Sequence, residues 1–299
     1  MRTSENYNKA FNEYVNSYRF NDECARLAEG LADSDGYTVP HGFADDYNAV
    51  MNRENLFRRH ATIIHTADKG FIQTFENEAM PEVVAEFSQY PEDGGILTKT
   101  RIDMHKIALL DKVSTDLFTD NRFDIQKHIN TSLAKRFARA EEKLFINSTD
   151  TATPTGLISS AETGATAETG EISLEDIIRL YFSLEPEYRK NAVWLMNDET
   201  AFMLRTAKTA DGTYLWNHND NTLLGKNVEI SQYMPSVASG SVPVIFGDLS
   251  YYWVLIHQPL TVQKMTEMYA MQNITGFRAC ERINGILTRS EAVKKLIVK

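Results

Sequence analysis

The spacing of apolar positions changes period several times along the chain, and each change predicts a new element. Tyr7, Phe11, Tyr14, Val15 and Tyr18 recur at helical spacing, which predicts an amphipathic helix with Asn, Glu and Lys on its other side. Turn formers follow in EGLADSDGYTVPHGF, where Asp35-Gly36 and Pro40 interrupt any helix. The segment before them is therefore expected to be an arm unless something tethers it back. Phe43 to Arg59 fits a second helix, with Tyr47, Val50, Met51 and Leu56 toward one side. ATIIHT and GFIQTFE then read as strands.

Between Asn77 and Thr98 the pattern loosens around Pro81, Pro91 and Gly94-Gly95, and alternation returns in LTKTRIDMHKIALLDKVS. There the apolar parity shifts, from Ile102 and Met104 to Ile107 and Leu109. Strand side chains alternate with period two, so the shift moves the apolar set to the opposite face and marks a change of environment. Residues 65–112 are expected to form a long two-stranded loop that leaves the body and rejoins it. An isolated hairpin is marginal in water, so this one needs a second domain or another subunit beside it.

The longest helical pattern runs from about Asn121 to Asn147, capped by Asp120 or Asn121, with Ile125, Ile129, Leu133, Phe137, Ala140 and Leu144 as its stripe. At ~1.5 Å per residue it spans roughly 40 Å, long enough to act as a spine. Its Lys127, Lys135, Arg136, Arg139 and Lys143 are read as a solvated face. STDTATPTGLISSAETGATAETGE reads as a connection of low apolar content. Beyond it, helix is expected at 174–184, strand at 192–196 and helix at 198–206. VPVIFGD, YYWVLIHQ and LTVQKMTEMYAM are expected strands, then a strand from Ile274 to Arg282, a turn at Asn284-Gly285 and a short helix capped by Ser290.

With 299 residues, 42% of them apolar, the chain can bury a sizeable core. Its net charge of −10 argues against a protein whose main work is gripping nucleic acid. In residues 1–100, 9 Lys plus Arg stand against 17 Asp plus Glu, a net of −8. Gly70 to Thr98 holds Glu76, Glu78, Glu82, Glu86, Glu92 and Asp93 and no Lys or Arg, a solvated loop by composition alone. Cys24 and Cys280 give neither a disulfide framework nor metal-ligand spacing, and the start has no signal-peptide core. A soluble protein made in a reducing cytoplasm is expected.

Catalytic signatures fail one by one. Gly225-Lys226 is followed by Asn227 and has Asp220 where a phosphate loop needs glycine. His60 and His65 lack the neighbouring Glu of a zinc peptidase, and Ser241 and Ser250 sit in no nucleophile elbow. Trp194, Trp216 and Trp253 are read as core or interface aromatics. No catalytic residue, cofactor or metal is expected.

The order of segments is informative where single motifs are not. LAEGLADSDGYTVPHGF followed by ENLFRRHATIIHT resembles the opening of the major capsid protein family of tailed bacteriophages, the Hong Kong 97-type shell fold. KVSTDLFTDNRFDIQKHINTSLAKRFARAEEKLFINS leading to TPTGLI is similar to that family's spine-helix segment. VWLMNDETAFMLRTAKTADGTYLW resembles its axial-domain signature, and GSVPVIFGDLSYYWVLI with TGFRACERINGILTRSEAVKKL its closing strands. The resemblance runs from about Leu27 to the end. It implies an α+β fold with an N-terminal arm (1–35), the start of a peripheral domain (36–64), an extended loop over a neighbouring subunit (65–112) and the spine-helix part of the peripheral domain (113–172). An axial domain (173–250) and closing strands (251–299) complete it.

The implied function is a major capsid protein whose hexamers and pentamers build an icosahedral shell in the host cytoplasm. The shell would enclose double-stranded DNA without reading its sequence, with a portal and separate scaffolding or decoration proteins as partners and no membrane. An encapsulin-type nanocompartment shell, which shares the fold and encloses cargo enzymes, is the alternative. Expected subunit-contact residues are Tyr14 and Tyr18 of the arm and Glu76, Glu78, Met80, Glu82, Val83, Val84, Glu86 and Phe87 of the loop, apolar groups ringed by charges. The loop's Glu residues are expected to face Arg or Lys of an adjacent subunit.

Two departures from the family pattern shape further expectations. Relatives often carry about a hundred residues of cleaved scaffold before the Gly-Tyr-x-Val-Pro region; here some thirty precede it, so no cleaved scaffold is expected. Some relatives cross-link a loop Lys to an Asn with the help of a Glu. Asn273 is suitably placed, but Cys280 stands seven residues on with Glu281 next to it, and the loop's Lys69 and Lys99 lie near its base. Cross-linking is therefore not expected.

Overall fold

A computed structural model of the chain describes residues 41–66, 70–76, 83–84, 96–116, 125–150, 152–168, 170, 172–207, 216, 221–265 and 267–299. In 41–46, 70–76, 96–101 and 125–126 it describes the backbone alone. The expected arm, with Tyr14 and Tyr18, lies outside these residues.

The predicted helix at 43–59 divides into α1 (His41–Glu54) and α2 (Leu56–His60). Asn55 is the cause. Its Oδ1 accepts from the Phe57 N–H at 2.8 Å, the N-cap bond that competes with continuing a helix. Strand β1 (Thr62–His65) follows, then the two-stranded ribbon of β2 (Gly70–Glu76) and β3 (Ile96–Ile102), antiparallel from Gly70 opposite Ile102 to Glu76 opposite Ile96.

The parity shift has a structural counterpart. Asp103 and Met104 interrupt the strand, and β4 (His105–Ser114) then enters a different sheet. Residues 105–112, expected within the projecting loop, are thus part of the body, with Ile107, Leu109 and Val113 turned toward the spine helix. That sheet has four strands in the order β1, β10 (Tyr252–Met265), β11 (Ile274–Leu287), β4. The two stretches expected as separate strands form one, β10, which passes Pro259 through an irregularity between Gln258 and Thr261. A proline that cannot donate to the ladder is tolerated at such a bulge.

Asn284-Gly285 is not a turn. Both lie inside β11, opposite Leu255 and Val254, and the 3₁₀ segment Glu267–Gln272 makes the reversal instead. A Cβ at 285 would overlap the hydroxyl of Tyr252, which is fully buried and donates to the Thr155 carbonyl at 2.7 Å. Glycine is there for close packing rather than for turn geometry.

The spine helix α3 (Ile125–Asn147) covers the four-stranded sheet. Its buried side runs through Ile129, Leu133, Ala134, Phe137, Ala138, Glu141, Glu142, Phe145 and Ile146, while Ala140 and Leu144 are only half-buried. Two carboxylates therefore occupy the core-facing stripe.

The expected connection after the spine contains α4 (Leu157–Ser160) and strand β5 (Glu162–Ala167). β5 opens a six-stranded sheet of order β5, β12 (Val293–Val298), β9 (Val244–Gly247), β6 (Val193–Met196), β8 (Lys226–Ile230), β7 (Thr222–Leu223). β12 replaces the expected C-terminal helix; Ser290 only begins the 3₁₀ turn Ser290–Ala292 before it. All four residues of β6 are buried. Trp194 and Met196 face one core with α5 (Leu174–Ser183) and α7 (Asp198–Thr206), while Val193 and Leu195 face a core shared with Phe57, Phe145 and Tyr252. A four-residue helix, α6 (Pro186–Arg189), lies between α5 and β6.

Candidate assembly surfaces and a buried polar seam

The strand-to-helix junction at Asn197 is closed on itself. Asn197 Oδ1 caps α7 through the Thr200 N–H at 2.7 Å, and its amide donates to Ser236 Oγ, which in turn donates to Glu199. Beneath it Trp194 stacks on Phe246 with centroids 4.1 Å apart and donates to the Leu223 carbonyl. Trp194 and Trp216 are fully buried core aromatics and Trp253 is half-buried, as the apolar pattern implied.

Helix α2 and its cap Asn55 make a dense set of polar contacts among the described residues. Arg58 is buried and bonds Glu141 through both Nε and Nη2, and Asn55 donates to Glu141 at 2.7 Å. Next along α3, Glu142 accepts from Ser231 and from the Leu56 N–H. On the exposed side, His60 and Arg59 both meet Glu229 of β8, at 2.9 and 3.0 Å. The hydrogen bond from His60, then the nearby Arg59 charge, outweigh desolvation and hold the Glu229 carboxyl below the usual range. One short helix thus ties the spine to the six-stranded sheet. Glu281 completes the seam from β11; burial, followed by the charge of Glu141, pushes its carboxyl well above the usual range.

The ribbon β2–β3 pairs with no other described strand. Of the expected contact residues, Glu76 ends β2 with only its backbone described, Val83 is fully exposed and Val84 half-buried. Glu78, Met80, Glu82, Glu86 and Phe87 lie outside the described residues.

On the four-stranded sheet, the face away from the spine presents Lys106 and Lys112 of β4 beside Arg282 and Arg278 of β11, with Ala108 and Leu110 between the lysines. Among the described residues no carboxylate pairs with any of these four cations; Lys112 lies over the Tyr269 ring at 4.5 Å. Alternation around Ile107 and Leu109 could have revealed the β4 half of this face in the sequence. Exposed apolar side chains lie elsewhere on the surface: Phe182 on α5 and Phe202 on α7, which pack on the six-stranded sheet, and Met268 and Met271 at the end of the β10–β11 hairpin. Sequence reasoning singled out none of the four as a surface residue, because each falls in a stretch read only as helix or strand.

Asn273 and Glu281 are engaged in different places, the first just before β11 and the second within it. Asn273, in a left-handed conformation with φ 52°, donates to Asp116 at 2.8 Å, while Glu281 points into the core and is fully buried.

A spine helix over a four-stranded sheet, joined to a six-stranded sheet that α5 and α7 cover on one face, with a ribbon that pairs with no other described strand, is the α+β shell fold of Hong Kong 97 type. Solved structures share it: the capsid of a native GTA particle computed with C5 symmetry (24% identity, TM-score 0.69, covering 94% of this chain and 100% of that one). A Microbacterium phage Oxtober96 chain (15%, 0.65, 94% and 100%) and a Gordonia phage Cozz chain (12%, 0.63, 82% and 87%) are also similar. Comparison with curated proteins gives no match. Residues 35–298 match the model of the phage capsid family, and the chain belongs to that family. It is a major capsid protein.

Proposed function

We propose that the protein assembles in the host cytoplasm as hexamers and pentamers of a closed icosahedral shell that holds double-stranded DNA of a tailed phage without reading its sequence. The division into arm (1–35), peripheral domain (36–64 and 105–172), extended loop (65–104, shortened from 65–112 because β4 belongs to the body sheet), axial domain (173–250) and closing strands (251–299) belongs to the same proposal. A portal and separate scaffolding or decoration proteins are further partners.

The observation that carries this reading is a mismatch within one chain. The ribbon β2–β3 has no sheet neighbour among the described residues, and the sequence it carries at its end has six acids and no base. On the body, Lys106, Lys112, Arg278 and Arg282 share a face with no paired carboxylate among the described residues. Opposite charges on two surfaces of one chain suit contact between copies. Exposed Phe182, Phe202, Met268 and Met271 supply apolar contact area for the same purpose. Net negative charge leaves the enclosed DNA free to move during filling.

Charge exchange tests it. Reversing Glu78, Glu82 and Glu86 to Lys abolishes particles in sedimentation analysis, and reversing Lys106 and Arg278 to Glu in the same chain restores them. Particles that ignore the first change overturn the loop contact, and particles filled with cargo enzyme rather than DNA would select the nanocompartment instead.

A further inference from the structure

Glu281 lies on the inward face of β11 with no exposed surface, and neither of its carboxyl oxygens meets a donor among the described residues. The ionisable groups around it are few. Glu141, on the core-facing side of the α3 helix that covers this sheet, is the charged group that bears on it most, followed by Arg58 of α2, and Cys280 is its own chain neighbour, turned to the other face of the sheet. β4 brings Ile107 opposite Glu281 and His105 opposite Ile283. β10 contributes the apolar Leu260 on the same side.

Arg58 is already committed, since Nε and Nη2 both bond Glu141, and Asn55 donates there too. One cation thus faces two buried carboxyl groups. A second buried carboxylate with no donor of its own is strongly disfavoured over the neutral acid. Two ionised carboxylates, moreover, are acceptors only and cannot bond each other.

We infer that Glu281 and Glu141 form a buried proton-binding site, in which Glu281 is a neutral carboxylic acid that donates to Glu141 and so latches β11 to the spine helix and α2. The cluster then carries one carboxylate, one guanidinium and one shared hydrogen bond. Removing the proton to hydroxide leaves two facing anions and a single cation that is already bound to Glu141, and the latch opens. The site is a property of a single subunit and stands whether or not shells form.

The direction of the pH effect follows from burial. A carboxyl whose folded-state pKa is raised stabilises the fold fully below the ordinary value near 4.5, and that stability is lost as pH rises toward the folded-state value. One proton gives at most about a tenfold fall in the folding equilibrium constant per pH unit across that window.

Infrared spectroscopy and urea unfolding of the full chain test the inference together. At neutral pH the folded protein should show the carbonyl stretch of a protonated carboxylic acid, and Glu281→Gln should remove it. The same variant should keep the fold, because its amide donates the same hydrogen bond, and should lose the alkaline fall in stability. Absence of the band, its persistence in Glu281→Gln, an unchanged pH slope or a variant that cannot fold each overturns the site.

Discussion

Arg58 holds Glu141 with two donors, Nε at 2.7 Å from Oε2 and Nη2 at 2.6 Å from Oε1, in a pair with almost no solvent contact. Removing one partner leaves the other charged and buried. Arg58→Ala is expected to destabilise the unassembled subunit by about 3–5 kcal/mol in urea unfolding. Replacing both, as Arg58→Met with Glu141→Leu, should cost clearly less than Arg58→Ala alone, since no buried charge is then stranded. Equal losses for the single and double changes would mean that packing, not charge, dominates this seam.

Glu229 sets an acid limit. Its carboxyl is held below its ordinary value by His60 and Arg59, so its contribution is fully present above pH 4.5 and is lost as pH falls through the lower folded-state value. Glu229→Gln should be less stable than wild type at neutral pH and equal to it in strong acid. Unfolding curves recorded from pH 7 down to pH 2 should converge; curves that stay parallel would contradict the pairing.

Gly285 and Tyr252 share one space. Gly285→Ala places a methyl against the Tyr252 hydroxyl and the Phe145 ring, and should cost about 1–3 kcal/mol as overpacking. Adding Tyr252→Phe removes the colliding oxygen but also its bond to the Thr155 carbonyl. The double variant should therefore lose less than the sum of the two singles, and strict additivity would place the strain elsewhere.

Phe182 and Phe202 are expected to matter to assembly and not to folding. Aspartate at either position should leave the subunit's thermal stability within about 0.5 kcal/mol of wild type, because both rings are exposed. Particle yield in light scattering should fall sharply. A loss of subunit stability with normal particle yield would reverse the assignment.

Much of the fold was legible because local pattern and burial agree. Asp198–Thr206 is the helix expected there, and the parity change after Met104 falls where the chain leaves the ribbon for the four-stranded sheet. The misreadings share a cause: tertiary packing overrode a local signal. Asn284-Gly285 is a strong hairpin pair, but Tyr252 needs the missing Cβ there. The spine's stripe was drawn through Ala140 and Leu144 because apolar residues were sought; four residues beyond Phe137 the core position is Glu141, and four further Phe145. The buried carboxyl pair stayed hidden for the same reason, since nothing local connects Arg58, Glu141 and Glu281.

Electron microscopy of the purified full-length protein tests the central claim most directly, that the ribbon β2–β3 and the acidic segment it bears are completed by another copy of the chain. The account predicts closed shells in which residues 76–93 of one subunit lie against the Lys106, Lys112, Arg278 and Arg282 face of the next. A monomer at high concentration with that segment folded onto its own body, or shells in which it touches only its own chain, would contradict it.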